Sequence, residues 1–140
     1  MNEKLKKSIG KSAKSLWNTF PVLAGVVLLV SLANAVIPKS SYSMIFTGNI
    51  ISDSFIGGAL GSILAGNPVT SYVLGGEFLN QGVSIIAVTA FLVAWVTVGI
   101  VQLPAESLLL GKKFSILRNL TSFLFSIIVA ITTVFVLGFI

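Results

Sequence analysis

The sequence predicts an all-α integral membrane protein, and three observations carry that prediction. The chain is 55% hydrophobic and 9% charged, with a mean hydropathy of +1.02, whereas a soluble domain carries about 25% charge. Uncharged apolar runs recur at 20–37, 83–103 and 119–140, each near the roughly 20 residues that a helical crossing needs. The basic residues collect at the ends of these runs, as expected of cytoplasmic flanks.

Lys4, Lys6, Lys7, Lys11 and Lys14 open the chain. Between them Leu5, Ile9, Ala13, Leu16 and Phe20 recur at helical spacing. Residues 1–19 therefore read as a basic amphipathic helix in the headgroup region, with Trp17 at its boundary. Residues 20–140 read as a single transmembrane domain. Its first span, 20–37, starts at Pro21 and is closed by Pro38-Lys39-Ser40-Ser41. A basic region, an apolar core and Ala33-Asn34-Ala35 also imitate a cleavable signal peptide. The membrane-length run and the apolar remainder favour an anchor.

Residues 42–53 are mixed, and Asp53-Ser54 is the N-cap pair expected to start the next helix. The segments 54–66 and 69–80 would each be roughly 20 Å long as helices. That is short for about 30 Å of hydrocarbon. Gly66-Asn67-Pro68 separates them. A re-entrant helical hairpin over 54–80 follows, its tip satisfied by protein or water. The alternative is that both segments cross, giving five crossings. The span 83–103 is closed by Pro104, and 119–140 forms the last span. With the N-terminal lysines inside, either arrangement also keeps Lys112, Lys113 and Arg118 inside. The expectation is a multi-pass protein of the cytoplasmic (inner) membrane with a cytoplasmic N-terminus, three full transmembrane helices and a hairpin.

The chain has no cysteine and no histidine. Thiolate nucleophiles, imidazole bases and Cys/His metal sites are excluded. The acids are Glu3, Asp53, Glu77 and Glu106, and no phosphate-cradling glycine loop is present. No enzyme activity, metal or cofactor is expected. The lysines flank apolar segments instead of interleaving with stacking aromatics, so the expected contact is the lipid bilayer and not nucleic acid.

Gly66-Asn67-Pro68-Val69-Thr70-Ser71 is the most informative polar cluster. Proline and glycine free main-chain carbonyls there, and broken helices near the midplane are a common transporter site. The candidate substrate path is Asn67, Pro68, Thr70, Ser71, Glu77, Gln102 and Glu106, with Thr97 a further candidate. The structural alternatives are a turn in which Asn67 satisfies local backbone, and a salt bridge from Glu106 to Lys112 or Lys113. Gly57, Gly61 and Ala65 fall four apart, as do Gly58, Ser62 and Gly66. Such small-residue ladders let helices approach closely, so Gly57, Gly58, Gly61 and Gly66 are assigned to packing.

Several of these features occur in a familiar order. The lysine-rich entry and first span end in Ile37-Pro38. Gly57-Gly58-Ala59-Leu60-Gly61, Gly66-Asn67-Pro68-Val69-Thr70-Ser71-Tyr72 and Gly82-Val83-Ser84 follow. Then come Ala94-Trp95-Val96 through Leu103-Pro104-Ala105-Glu106, Leu110-Gly111-Lys112-Lys113-Phe114 and Leu117-Arg118-Asn119. In this the chain resembles the predicted-permease family that also contains organoarsenical efflux permeases. The resemblance implies a half-length member of a two-repeat transporter, pairing with a copy of itself or with a second half-permease chain. An odd number of spans implies an inverted second half, and the strong lysine bias favours a distinct chain for it. The arsenical exporters use membrane cysteines, whereas Pro68-Val69-Thr70-Ser71 carries no thiol, so a thiophilic substrate does not fit. The expected function is a permease subunit moving a small solute or ion. The alternative is a non-transporting structural or assembly subunit of a membrane complex.

Overall fold

The computed structural model describes residues 3–36, 38–64 and 67–138. Among them every regular element is a helix. The chain divides into two compact units, Met1–Val36 and Ile37–Ile140.

The first unit is one helix, α1, Glu3–Val36. The sequence separates an interfacial helix from the first span near residue 19, and the structure joins them. Pro21, read above as a helix start, lies inside α1. A proline there removes the main-chain bond to the Trp17 carbonyl. No glycine adjoins it to complete a break, and the helix continues.

The second unit holds α2 (Lys39–Ile45), α3 (Ile50–Ile63), α4 (Pro68–Asn80), α5 (Ile85–Thr97), α6 (Leu103–Leu110) and α7 (Lys112–Leu137). Among the described residues, two helices are long and apolar enough to cross a membrane. They are α7 and the Glu3–Leu29 stretch of α1, while α3 and α5 are apolar but shorter.

The centre of this unit is α5, whose Ile86, Ala87, Ala90, Phe91, Ala94 and Trp95 are buried. α3, α4 and α7 pack around it. Gly57 lies against Ala87, and Gly61 against Phe91 and Trp95, so α3 and α5 run parallel. α4 returns antiparallel to α5, with Gly75 against Val88 and Leu92. Its Pro68 lies near Trp95 and Val98, and at its far end the Phe78 carbonyl accepts from Val83 N at 2.9 Å. The turn into α5 passes through Gly82 at φ +88°, where a side chain would be strained. α7 runs antiparallel to α5: Asn119 meets Gly99, and Ala130 and Val134 meet Ile86 and Ala90.

Small residues set these approaches, because only a missing or small side chain lets two helix backbones come this close. A Cβ at Gly57 would fall 2.1 Å from the Ala87 carbonyl oxygen, and one at Gly61 2.2 Å from that of Phe91. Gly58 faces the other way, where a Cβ would be 3.2 Å from the Phe123 ring. α3 is thus wedged between α5 and α7. The facing side of α7 is small or polar, with Ser115, Asn119, Ser126 and Ala130 buried. The hydroxyls of Ser54, Ser62, Ser71 and Ser126 each donate to a carbonyl three residues back in their own helix. Buried serine is thereby satisfied without a partner helix. Gly66, the last glycine of the second ladder, lies outside the described residues.

Three boundaries differ from the sequence reading. α3 starts at Ile50, because the Asn49 side chain caps it by accepting from Ile51 N and Ser52 N. The 83–103 span contains a helix of only 13 residues, ending at Thr97. α7 starts at Lys112, so the basic cluster Lys112, Lys113 and Arg118 lies on a helix instead of in a loop.

Candidate functional site

The end of α5 is set from a distance. Val98 N still donates to the Ala94 carbonyl at 2.8 Å. The next amide, Gly99 N, donates to Asn119 Oδ1 at 2.7 Å, in place of the helical bond to Trp95. The chain then turns, with Gln102 N donating to the Gly99 carbonyl and Leu103 N to that of Ile100. Pro104 sits in the first turn of α6 and has no N–H to continue the earlier helix.

Asn119, 5% exposed, also donates through Nδ2 to Glu106 Oε2 at 3.2 Å and to the Ser115 carbonyl at 2.9 Å. Glu106 Oε1 accepts from Arg118 Nη2. The ion pair expected with Lys112 or Lys113 is therefore made with Arg118. α6 folds back along α7 about Gly111, which has φ +88°, and this brings Glu106 beside residues well inside α7. Arg118 Nε is buried and has no hydrogen-bond partner among the described residues.

A cavity of about 130 Å³ lies beside this network. Ser62, Leu64 and Pro68 line it from the junction of α3 and α4. Trp95, Thr97, Gly99, Val101 and Gln102 line it from the junction of α5 and α6, and Arg118 from α7. One water's share of the liquid is about 30 Å³, so this space suits a few waters or a solute of a few heavy atoms.

No family model, curated protein or solved structure matches this chain.

Of the residues singled out in the sequence, Pro68, Thr97 and Gln102 line the cavity. Glu106 stands behind its wall, on Arg118. Asn67 caps α4, its Oδ1 accepting from Val69 N at 2.9 Å. Thr70 and Ser71 are buried, and the Ser71 hydroxyl donates to the Pro68 carbonyl at 2.7 Å. Glu77 accepts from Nε2 of Gln81, the residue that follows α4, and is not part of the cavity wall. No group of three or more potential metal ligands occurs among the described residues.

Two residues escaped the sequence reading of the site, Arg118 and Asn119. Their only local signal was an amide at four-residue spacing from Ser115, directly after a cation in an apolar run. Asp53 also differs from its expected role as a cap. It is fully buried, and its carboxylate accepts from Thr47 N at 3.0 Å, Gly48 N at 3.2 Å and the Ser84 hydroxyl at 2.7 Å. Ser84 precedes α5 without capping it through its side chain, because its hydroxyl is turned to Asp53.

Proposed function

We propose that this chain is a subunit of a membrane permease in the cytoplasmic membrane, a half-transporter moving a small solute or ion. One observation carries the reading. Two helix interruptions distant in sequence, α3 to α4 and α5 to α6, meet at one polar cavity. Irregular backbone at membrane depth is tolerated where it lines a cavity, and broken helices around a site are a recurrent transporter device.

The topology follows from charge and helix direction. With the N-terminal lysines inside, α1 crosses outward. α3 and α4 enter and leave from the outer side as a re-entrant hairpin. α5 runs inward, extended by the turn and α6, and α7 returns outward. Helices of 14 and 13 residues are each only about 20 Å long, which supports a hairpin over two further crossings. Asn119 lies roughly 10 Å along α7 from Lys112, so the cavity sits below the cytoplasmic headgroups. Charges at such depth are found paired, as Glu106 and Arg118 are. The bilayer surrounds this unit, and its partner is a second half-permease chain of opposite orientation. The resemblance to the predicted-permease family points the same way.

The rival reading, a scaffold subunit, drew on the glycine ladders. Gly57 and Gly61 face α5, and Gly58 faces α7, so these glycines are already used within the chain. The readings separate on whether water reaches the cavity. With no native cysteine present, Gln102→Cys in the purified protein should react with a small water-soluble methanethiosulfonate. Reaction only after denaturation would favour the scaffold.

A further inference from the structure

We infer that a groove between α3 and α7 holds an acyl chain of an anionic phospholipid whose phosphate is met by Lys112 and Lys113. The site goes beyond the permease reading and rests on it only for the placement of the chain in the bilayer.

The groove offers about 390 Å³. Ile63 of α3, Ile100 beyond the end of α5, and Ile116, Leu120 and Phe123 of α7 line it, and its exposed surface is almost wholly apolar. Two polar residues on it, Ser62 and Asn119, are already satisfied. The Ser62 hydroxyl donates to the Ala59 carbonyl at 2.8 Å, and the Asn119 amide is engaged by Gly99 N, Glu106 and the Ser115 carbonyl. An occupant is therefore asked for no hydrogen bond.

The rim is built of large side chains. Ile63, Ile100, Ile116 and Leu120 are all exposed. Close helix crossings use small residues, and Gly57, Gly58 and Gly61 of α3 already face α5 and α7. A rigid partner helix about 10 Å wide would ride on this rim, whereas a flexible acyl chain follows the groove between its side chains.

The charge lies at one end. Ile116 is four residues from Lys112 and three from Lys113, and Leu120 is four beyond Ile116, so these positions share one face of α7. Both lysines are exposed, and neither is in a salt bridge among the described residues. Helical side chains lean toward the N-terminus, which carries both ammonium groups away from the groove to the headgroup level. From Lys112 to Phe123 α7 rises about 16 Å. That is half of a hydrocarbon core about 30 Å thick, the depth of the one leaflet that a phospholipid occupies. Paired cations at the head of such a groove favour an anionic headgroup.

Contact quenching of the full chain tests this in phosphatidylcholine vesicles. They hold an equal minor fraction of either brominated phosphatidylglycerol or brominated phosphatidylcholine. In a Trp17→Phe background, Leu120→Trp puts a reporter on the groove, and Phe114→Trp puts one on the face of α7 turned away from Ile116. The Trp95 signal of the parent is subtracted. Leu120→Trp should prefer the anionic lipid at least about fivefold in apparent affinity, and Phe114→Trp should show no such preference. Lys112→Gln combined with Lys113→Gln should bring the ratio at Leu120→Trp close to one. Ile116→Trp replaces Leu120→Trp if the latter loses native helicity. Equal quenching by the two lipids on the groove, the same preference at Phe114→Trp, or a preference that survives loss of both lysines would overturn the inference. So would a groove reporter that neither lipid quenches, the result if protein covers the groove. None of these outcomes bears on transport, which the thiol accessibility of Gln102→Cys tests separately.

Discussion

Asp53 and Ser84 are 31 residues apart, yet a hydroxyl-to-carboxylate bond of 2.7 Å joins them. Together with the Thr47 and Gly48 amides it ties the start of α3 to the start of α5. The acid was visible in the sequence, but its partners were not, because only the parallel packing of α3 on α5 brings them together. Asp53→Ala would leave three donors without their acceptor. It should cost about 2–4 kcal/mol, read as a lower thermal midpoint in detergent, and an unchanged midpoint would show the tie to be dispensable. Asn67 gives the opposite lesson. Its cap on Val69 N lies within one turn, and the Asn-Pro pair announces it.

At the scale of helices, the close crossing of α3 and α5 depends on the absence of a Cβ. Gly61→Ala would place a methyl 2.2 Å from the Phe91 carbonyl oxygen, whereas a Cβ at Gly76 meets nothing within 4 Å. Gly61→Ala should therefore destabilise by about 1–3 kcal/mol or more, and Gly76→Ala should be nearly neutral. Equal thermal midpoints for the two variants would contradict this packing. The ladder was legible because small residues four apart mark one helix face whatever the partner. The end of α5 was not legible. Val96 to Val101 is apolar apart from Thr97 and Gly99, and a lone glycine does not stop a helix. What stops it is Asn119 on α7 taking the Gly99 amide, a bond between residues 20 apart. The continuity of α1 through Pro21 was hidden for a related reason, since a proline marks a helix start and a helix interior alike.

For the molecule as a whole, the apolar composition and the two longest helices match the expectation of a membrane protein. The remaining apolar helices are short, and their surroundings carry the topology. Lys113 is exposed, so Lys113→Cys should be shielded from an impermeant maleimide in intact cells and react in inverted vesicles. Labelling in intact cells would reverse the topology. α7 exposes Leu117, Leu120, Leu124, Phe125 and Ile128, a surface suited to lipid or to a partner half. Mild extraction from native membranes should recover the chain with a second half-permease polypeptide. Recovery solely as a self-associated species would count against a distinct inverted partner.

In the proposed permease, solute crosses the membrane at the cavity where the two interrupted helix pairs meet. The most direct measurement follows Gln102→Cys in oriented membranes of the native complex, with an impermeant thiol reagent applied to one face at a time. Reaction is expected from the cytoplasmic face in inverted vesicles, and slower reaction from the outer face in intact cells, as the site alternates between the two sides. Protection from both faces until the protein is denatured would contradict it, leaving the cavity a sealed pocket inside a packing unit.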